Sequence, residues 1–181
     1  MKKYLILLTG AAIFAVIFNY AQLSHAESES FGDSESVAFA EQLWQAMQKL
    51  DLVGESARPD QPYKGTHPHG AVLETLMDTL NINGREGEIL VKRNYGGAGV
   101  SINAASLKRS EYLQDVTVMF KRDKGYDDEN QDWFWAKFDA EGKLASNPRG
   151  RQLAGRVARG KPKGCIACHK MAPGGDFRFV K

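Results

Sequence analysis

Asp115-Val116-Thr117-Val118-Met119-Phe120-Lys121 and Asp132-Trp133-Phe134-Trp135-Ala136-Lys137-Phe138 are the two stretches whose reading decides the fold. Both alternate with period two. Val116, Val118 and Phe120 fall opposite Asp115, Thr117 and Met119, and Trp133 and Trp135 fall opposite Phe134 and Phe138. Successive side chains of a strand point to opposite faces, so this alternation predicts two strands, each with two distinct sides. The polar segment Gly125-Tyr126-Asp127-Asp128-Glu129-Asn130 between them has the composition of a hairpin loop, which makes the pair antiparallel.

Upstream, Glu88 to Lys92 reads as a further strand, with Ile89 and Val91 on one side and Glu88, Leu90 and Lys92 on the other. A short strand is expected from Val100 to Ala104, after the Gly96-Gly97 turn. Before Glu88 the period changes to that of a helix. Val37, Phe39, Ala40, Leu43, Trp44, Met47 and Leu50 recur at helical spacing behind a cap at Ser34 or Ser36, with Gly54 placed to end the helix. Glu55 to Gly70, with three prolines and two histidines, reads as a loop. A second, shorter helix is expected over Ala71 to Leu80, burying Val72, Leu73, Leu76 and Leu80, and Asn83-Gly84 then makes a turn. These elements predict the α+β class: an antiparallel β-sheet flanked by helices.

The N-terminus carries the marks of export. Lys2 and Lys3 precede an apolar run from Tyr4 to Phe18, and Ser24-His25-Ala26 offers small residues for cleavage after Ala26. Residues 1–26 are therefore expected to be a cleaved signal peptide and the mature protein periplasmic, with no membrane role. Residues 27–36 are expected to be disordered, and 37–181 to form one domain. The 24 basic residues include Lys2 and Lys3, so the mature chain balances its 22 acidic ones, and nothing in this charge points to nucleic acid.

Near the other end stands Cys165-Ile166-Ala167-Cys168-His169, the attachment signature of a c-type haem. Two thiols separated by two residues can reach the vinyl groups along one porphyrin edge, and the adjacent histidine can supply the proximal nitrogen to iron. A redox dithiol or half of a zinc site uses the same cysteine spacing. These are the only two cysteines, however, and the four histidines are poorly spaced to complete a zinc site. Arg149, Arg151, Arg156, Arg159, Lys161 and Lys163 run up to the motif. They form either a solvated linker or a patch that neutralises haem propionates or receives an acidic electron-transfer partner, and both readings stay open.

The order and spacing of several of these segments resemble the cytochrome P-460 family: Gly87-Glu88-Ile89-Leu90-Val91-Lys92, Val116-Thr117-Val118-Met119-Phe120-Lys121, Gly125-Tyr126, Asp132-Trp133-Phe134-Trp135, and Gly164 to His169 followed by Asp176-Phe177. The similarity runs from about His67 to Val180. The resemblance implies a β-rich, often dimeric haem protein with a five-coordinate iron and an open distal face. Some members bear an added lysine-to-porphyrin bond and oxidise hydroxylamine. The related cytochrome c-prime beta proteins lack that bond and bind nitric oxide or carbon monoxide in a phenylalanine-lined pocket.

By position in the Gly-x-Ile-Leu-Val-Lys strand, Lys92 matches the cross-linking lysine, with Arg93 beside it as another source of positive charge. Asp115 falls close to the family's pocket carboxylate, which takes protons, and Glu88 on the Lys92 side of its strand could do the same. The resemblance thus implies one haem c held by Cys165, Cys168 and His169, with His169 the iron ligand and Lys92 a possible further bond. It also implies a small nitrogenous ligand, an electron-accepting cytochrome and a homodimer. His67 or His69 could instead close the sixth iron position and make an electron carrier, and Met119 is a further candidate for that place. Phe120, Trp133, Phe134, Trp135 and Phe138 are expected in the core, one or two of them lining the haem.

Overall fold

The computed structural model describes residues 31–179; the expected signal peptide, its cleavage point and residues 27–30 lie outside the described residues. Helix α1 (Ser34–Lys49) opens the fold, capped by Asp33, whose carboxylate accepts from the Ser36 amide at 2.8 Å. The cap is thus one residue before Ser34 and three before Ser36, and α1 stops at Lys49, short of Gly54. Phe31 is bridged to Gly155, so order within this stretch begins before residue 37, where disorder was expected to end.

Among the described residues, six antiparallel strands follow in chain order as one meander: β1 (Tyr63–Lys64), β2 (Val72–Ile82), β3 (Arg85–Tyr95), β4 (Leu113–Lys121), β5 (Trp133–Asp139) and β6 (Ala154–Gly155). Short helices α2 (Ile102–Leu107) and α3 (Arg109–Tyr112) join β3 to β4, and α4 (Cys165–His169) closes the chain's chemistry-bearing end. Among the described residues no helix is long and apolar enough to cross a membrane.

Two expected elements changed type. Ala71 to Leu80 was expected to be helical, yet it belongs to β2, which pairs with β3 along its whole length from Val72↔Tyr95 to Ile82↔Arg85. The deciding feature is the two-residue turn. Asn83 and Gly84 both have positive φ (54° and 82°), the conformation of a tight hairpin whose twist matches the strands it joins. Once β3 is a strand, that turn delivers an antiparallel partner into register, and leucine spacing alone cannot oppose eleven residues of ladder. Conversely, the strand expected at Val100 to Ala104 is replaced by α2, because Ser101 caps it through a 3.0 Å bond from the Ala104 amide to its hydroxyl.

The sheet has two differently covered faces. Ala40, Leu43, Trp44 and Met47 of α1 pack on Leu76, Leu80, Ile89, Val91, Val116, Val118, Phe120, Phe134 and Phe138. Each such fully buried large side chain contributes about 1.5–3 kcal/mol relative to exposure. Leu90, Met119, Trp133 and Trp135 point the other way and meet Val157, Ile166 and Phe177 from the C-terminal segment. The helix-covered face holds the main core, and the opposite face receives the Cys-x-x-Cys-His motif.

Glu74 of β2 is wholly buried and ties several elements together. It accepts from Arg93 Nη1 (2.9 Å), Arg109 Nε (2.8 Å) and the Tyr95 hydroxyl (2.6 Å). Arg93 also donates to the carbonyls of Leu52 and Arg58, and Arg109 donates to that of Asp60. The irregular stretch before β1 is thereby fastened to the strand that carries Lys92.

Candidate functional site

Gly164, at φ 120°, turns the chain into α4; a side chain here would be strained and would press on Ala158. One helical turn then holds Cys165 and Cys168, both free thiols and partly exposed, and ends at His169, which is 7 % exposed. Burial pushes the Cys165 thiol pKa up. His169 Nδ1 lies 2.6 Å from the Phe177 carbonyl oxygen, and because a carbonyl can only accept, Nδ1 carries the proton. The basic lone pair is therefore on Nε2, the arrangement in which a histidine ligates a metal while its other nitrogen is held in place. Phe177 sits at φ 65°, a region a bulky L residue rarely occupies, and this conformation belongs to the residue that offers its carbonyl to His169. Burial, opposed by the Phe177 bond and aided by the nearby Lys92 charge, brings the His169 pKa down to about 4, so the ring is neutral at pH 7.

The sheet face opposite α1 supplies the rest. Trp135 stands edge-on to His169, with ring centres 4.8 Å apart. Strand pairing aligns Lys92, Thr117 and Lys137 in one row and places Asn94 beside Asp115 in the next. Lys92 is 4 % exposed, and its Nζ lies 5.8 Å from the centre of the Phe179 ring. Burial lowers its pKa to about 8, which leaves about a tenth of the amine neutral at pH 7, far more than for a solvated lysine. Arg93, the next residue, points to the other face and is spent on Glu74, so it brings no charge to this site.

Asp115 accepts from the Asn94 amide and pairs with Lys137 Nζ at 2.9 Å, close enough to His69 to influence its titration. Glu88 lies on the same face but does not join this group. It is four residues from Lys92, about 13 Å along an extended strand, and its carboxylate is engaged by Arg178. Met119 is packed in the apolar layer with Leu90, Trp133 and Trp135. Of the loop histidines, His67 is exposed, whereas His69 turns inward, its ring centre 6.2 Å from that of His169. Burial, reinforced by the Lys92 charge, brings the His69 pKa down to about 4.

The basic run before the motif is largely used within the fold. Arg151 donates to the Phe31 carbonyl, Arg156 donates to that of Tyr126, and Arg159 pairs with Asp127 and Glu129. Arg149, Lys161 and Lys163 are exposed.

The residues present fit a c-type haem. Two thiols and a neutral imidazole with its Nδ1 tethered issue from one helical turn onto a face lined by Trp135, Leu90 and Met119. On that face the Trp135 indole nitrogen is buried without a hydrogen-bond partner among the described residues, as expected of an atom that would border the porphyrin. Among the described residues, no three or more His, Cys, Asp and Glu side chains are gathered to hold a metal ion by themselves, so the zinc reading of the cysteine pair finds no ligand set.

The family model for cytochrome P460 matches residues 60–180. This chain belongs to the cytochrome P460 family. It is accordingly a c-type haem protein, a cytochrome with iron as its metal, and its α+β architecture is the one described above. No match was found among curated proteins or among solved structures. The P460 match begins at Asp60, just before β1, and takes in all six strands and α4, so α1 lies outside the matched region.

The sequence reading named Lys92, Asp115, Glu88 and His169 but not Asn94, Thr117, Lys137, Phe177 or Phe179; the fold is what brings Lys92, Asp115 and His169 to one face. Strand periodicity could have named the first three, which follow from register with Lys92 and Asp115. Nothing local marks Phe177, whose part is played by a backbone carbonyl.

Proposed function

We propose that this chain is a periplasmic mono-haem cytochrome that oxidises hydroxylamine or a similar small nitrogen compound and passes the electrons to another cytochrome. Cys165 and Cys168 are the attachment thiols and His169 the proximal ligand. The haem, when bound, supplies an iron that accepts electrons from the ligated nitrogen. The chain's own residues hold the site and handle protons. Phe177 orients His169 through its carbonyl, Trp135 fixes the ring edge, and the apolar layer of Leu90 and Met119 excludes water. Asp115, steadied by Asn94 and Lys137, is the carboxylate positioned to accept a proton released as the nitrogen compound is oxidised.

The observation that carries this reading is Lys92: a buried amine with a depressed pKa on the motif-bearing face, where a solvated strand lysine would point to water. Its neutral form has a lone pair for a porphyrin carbon, and the reading includes that cross-link, which replaces one amine N–H and one ring C–H by a C–N bond, releasing two protons and passing two electrons to an oxidant of the peroxide class. Exposed Lys161, Lys163 and Met171 flank the motif and offer a surface for an acidic electron acceptor. Exposed Ile102 and Leu107 on α2 offer apolar surface for a homodimer.

The test is the optical spectrum of the reduced holoprotein. A Soret band displaced far to the red, returning to the ordinary c-type position in Lys92→Met with loss of hydroxylamine oxidation, is expected. An ordinary band in the unaltered protein removes the cross-link and leaves binding of nitric oxide or carbon monoxide without turnover, while oxidation retained in Lys92→Met removes the lysine from the mechanism.

A further inference from the structure

His69 faces His169 across the candidate site, with ring centres 6.2 Å apart. Its loop is closed at both ends by glycine. A side chain at Gly65 would collide with the Gly70 carbonyl, and one at Gly70 would collide with the backbone of Tyr95. Backbone bonds from Gly65 to Ala71 (2.8 Å) and from His69 to Thr66 (2.9 Å) fasten the loop further. His69 is thus carried on a pinned turn that lies directly against β3.

The ring is also oriented. Nδ1 of His69 lies 3.4 Å from the Thr117 hydroxyl, on the sheet side, which leaves Nε2 on the far side of the ring. His169 uses its own Nδ1 on Phe177 in the same manner. His169 is thus held through Nδ1 by a carbonyl, and His69 has its Nδ1 at the long end of hydrogen-bond reach of Thr117, so in each ring Nε2 lies on the side away from that contact. Their separation discriminates between packing and shared ligation. An imidazole nitrogen bonds a first-row metal at about 2 Å and its ring centre lies roughly 1 Å beyond, so two imidazoles on opposite sides of one metal stand about 6 Å apart. The observed centre-to-centre distance is 6.2 Å, with the ring planes at 81°. Rings packed on each other for contact alone also occur at 4.5–7 Å, but direct packing does not call for both Nδ1 atoms to be tethered away from a common ligand.

We infer that His69 is the sixth iron ligand of the resting protein, opposite His169, and that a small ligand reaches the iron by displacing it. This rests on the haem c assignment, and on neither the lysine cross-link nor hydroxylamine turnover. Lys92, Lys137, Asp115 and Met119 on this face could also ligate iron, but Lys137 and Asp115 are paired with each other, Met119 is enclosed in the apolar layer, and Lys92 comes from the sheet itself with its amine against the Phe179 ring.

The experiment uses full-length holoprotein produced with haem-attachment machinery and reads the ferric spin state by electron paramagnetic resonance, together with the rate at which carbon monoxide binds the reduced form. The unaltered protein is expected to be low-spin, with a binding rate that levels off at high carbon monoxide because loss of His69 limits it. His69→Gly is expected to be high-spin, to bind carbon monoxide at a rate that stays proportional to its concentration, and to return to low spin on adding free imidazole. That rescue separates a lost ligand from a damaged fold. His67→Ala and Lys92→Met are expected to remain low-spin. A high-spin unaltered holoprotein, or a low-spin state that survives in His69→Gly, overturns the inference. Absence of covalently bound haem overturns it together with the assignment beneath it. A low-spin protein that fails to oxidise hydroxylamine supports the ligand while removing the proposed turnover, so the two fail separately.

Discussion

Replacing Glu74 by glutamine tests how the site's scaffold is held. The carboxylate is fully buried and receives the Arg93 guanidinium, whose side chain is 3 % exposed, the Arg109 guanidinium and the Tyr95 hydroxyl. In Glu74→Gln the volume is kept but the negative charge is lost, and Arg93 remains in the interior with carbonyl partners only. Removing one partner of a buried ion pair costs about 3–5 kcal/mol, because the remaining charge is left uncompensated. For a domain of this size each kcal/mol shifts the melting temperature by about 2–4 °C, so a fall of roughly 6–20 °C is expected. Urea denaturation of the holoprotein, followed by tryptophan fluorescence and by the haem band together, gives the free energy directly. The companion variant Glu74→Met/Arg93→Met removes both charges and should cost less than Glu74→Gln alone, since Arg109 is partly exposed and can turn to water. A loss below about 1 kcal/mol in Glu74→Gln, or a double variant weaker than the single one, would refute the assignment of this cluster as a charge-compensated anchor.

Asp115→Asn should leave haem content and spectrum unchanged while slowing hydroxylamine oxidation by about 10²-fold or more, as measured by steady-state kinetics; an unaltered rate would take the carboxylate out of proton transfer. Gly142→Ala should destabilise by at least about 1–3 kcal/mol in urea titrations, because the residue sits at φ 91° and a Cβ there would run into the Trp44 indole. Asp33→Ala should cost about 1 kcal/mol at neutral pH through loss of the α1 cap. Burial raises the Asp33 pKa, but the Ser36 bonds outweigh this and hold it below the usual carboxylate value. The cap's contribution is therefore complete above the unfolded pKa of about 4 and is lost as pH falls through the lower folded value, so the stabilities of variant and parent should converge in acid.

Much of the sheet was legible in the chain. Val116, Val118 and Phe120 against Thr117 and Met119 could be sorted into two faces because strand periodicity is local, and the same reading put Lys92 on the side away from Ile89 and Val91. The haem motif was equally plain, since Cys165, Cys168 and His169 must be adjacent to act together. The error at β2 has a physical source. Leu73, Leu76 and Leu80 satisfy helical spacing, and only pairing with β3, imposed through Asn83-Gly84, decides between the two periods. That error also hid Glu74, whose burial depends on Arg93, Tyr95 and Arg109 arriving from three other elements. The candidate site divides along the same line. Sequence alone put Cys165, Cys168 and His169 into one haem-attachment motif and fixed the face of Lys92, because each follows from spacing within a few residues. Only the tertiary structure decided that Glu88 is drawn off by Arg178, that Phe177 holds His169 and that His69 rather than His67 faces it, because these depend on where distant backbone segments meet.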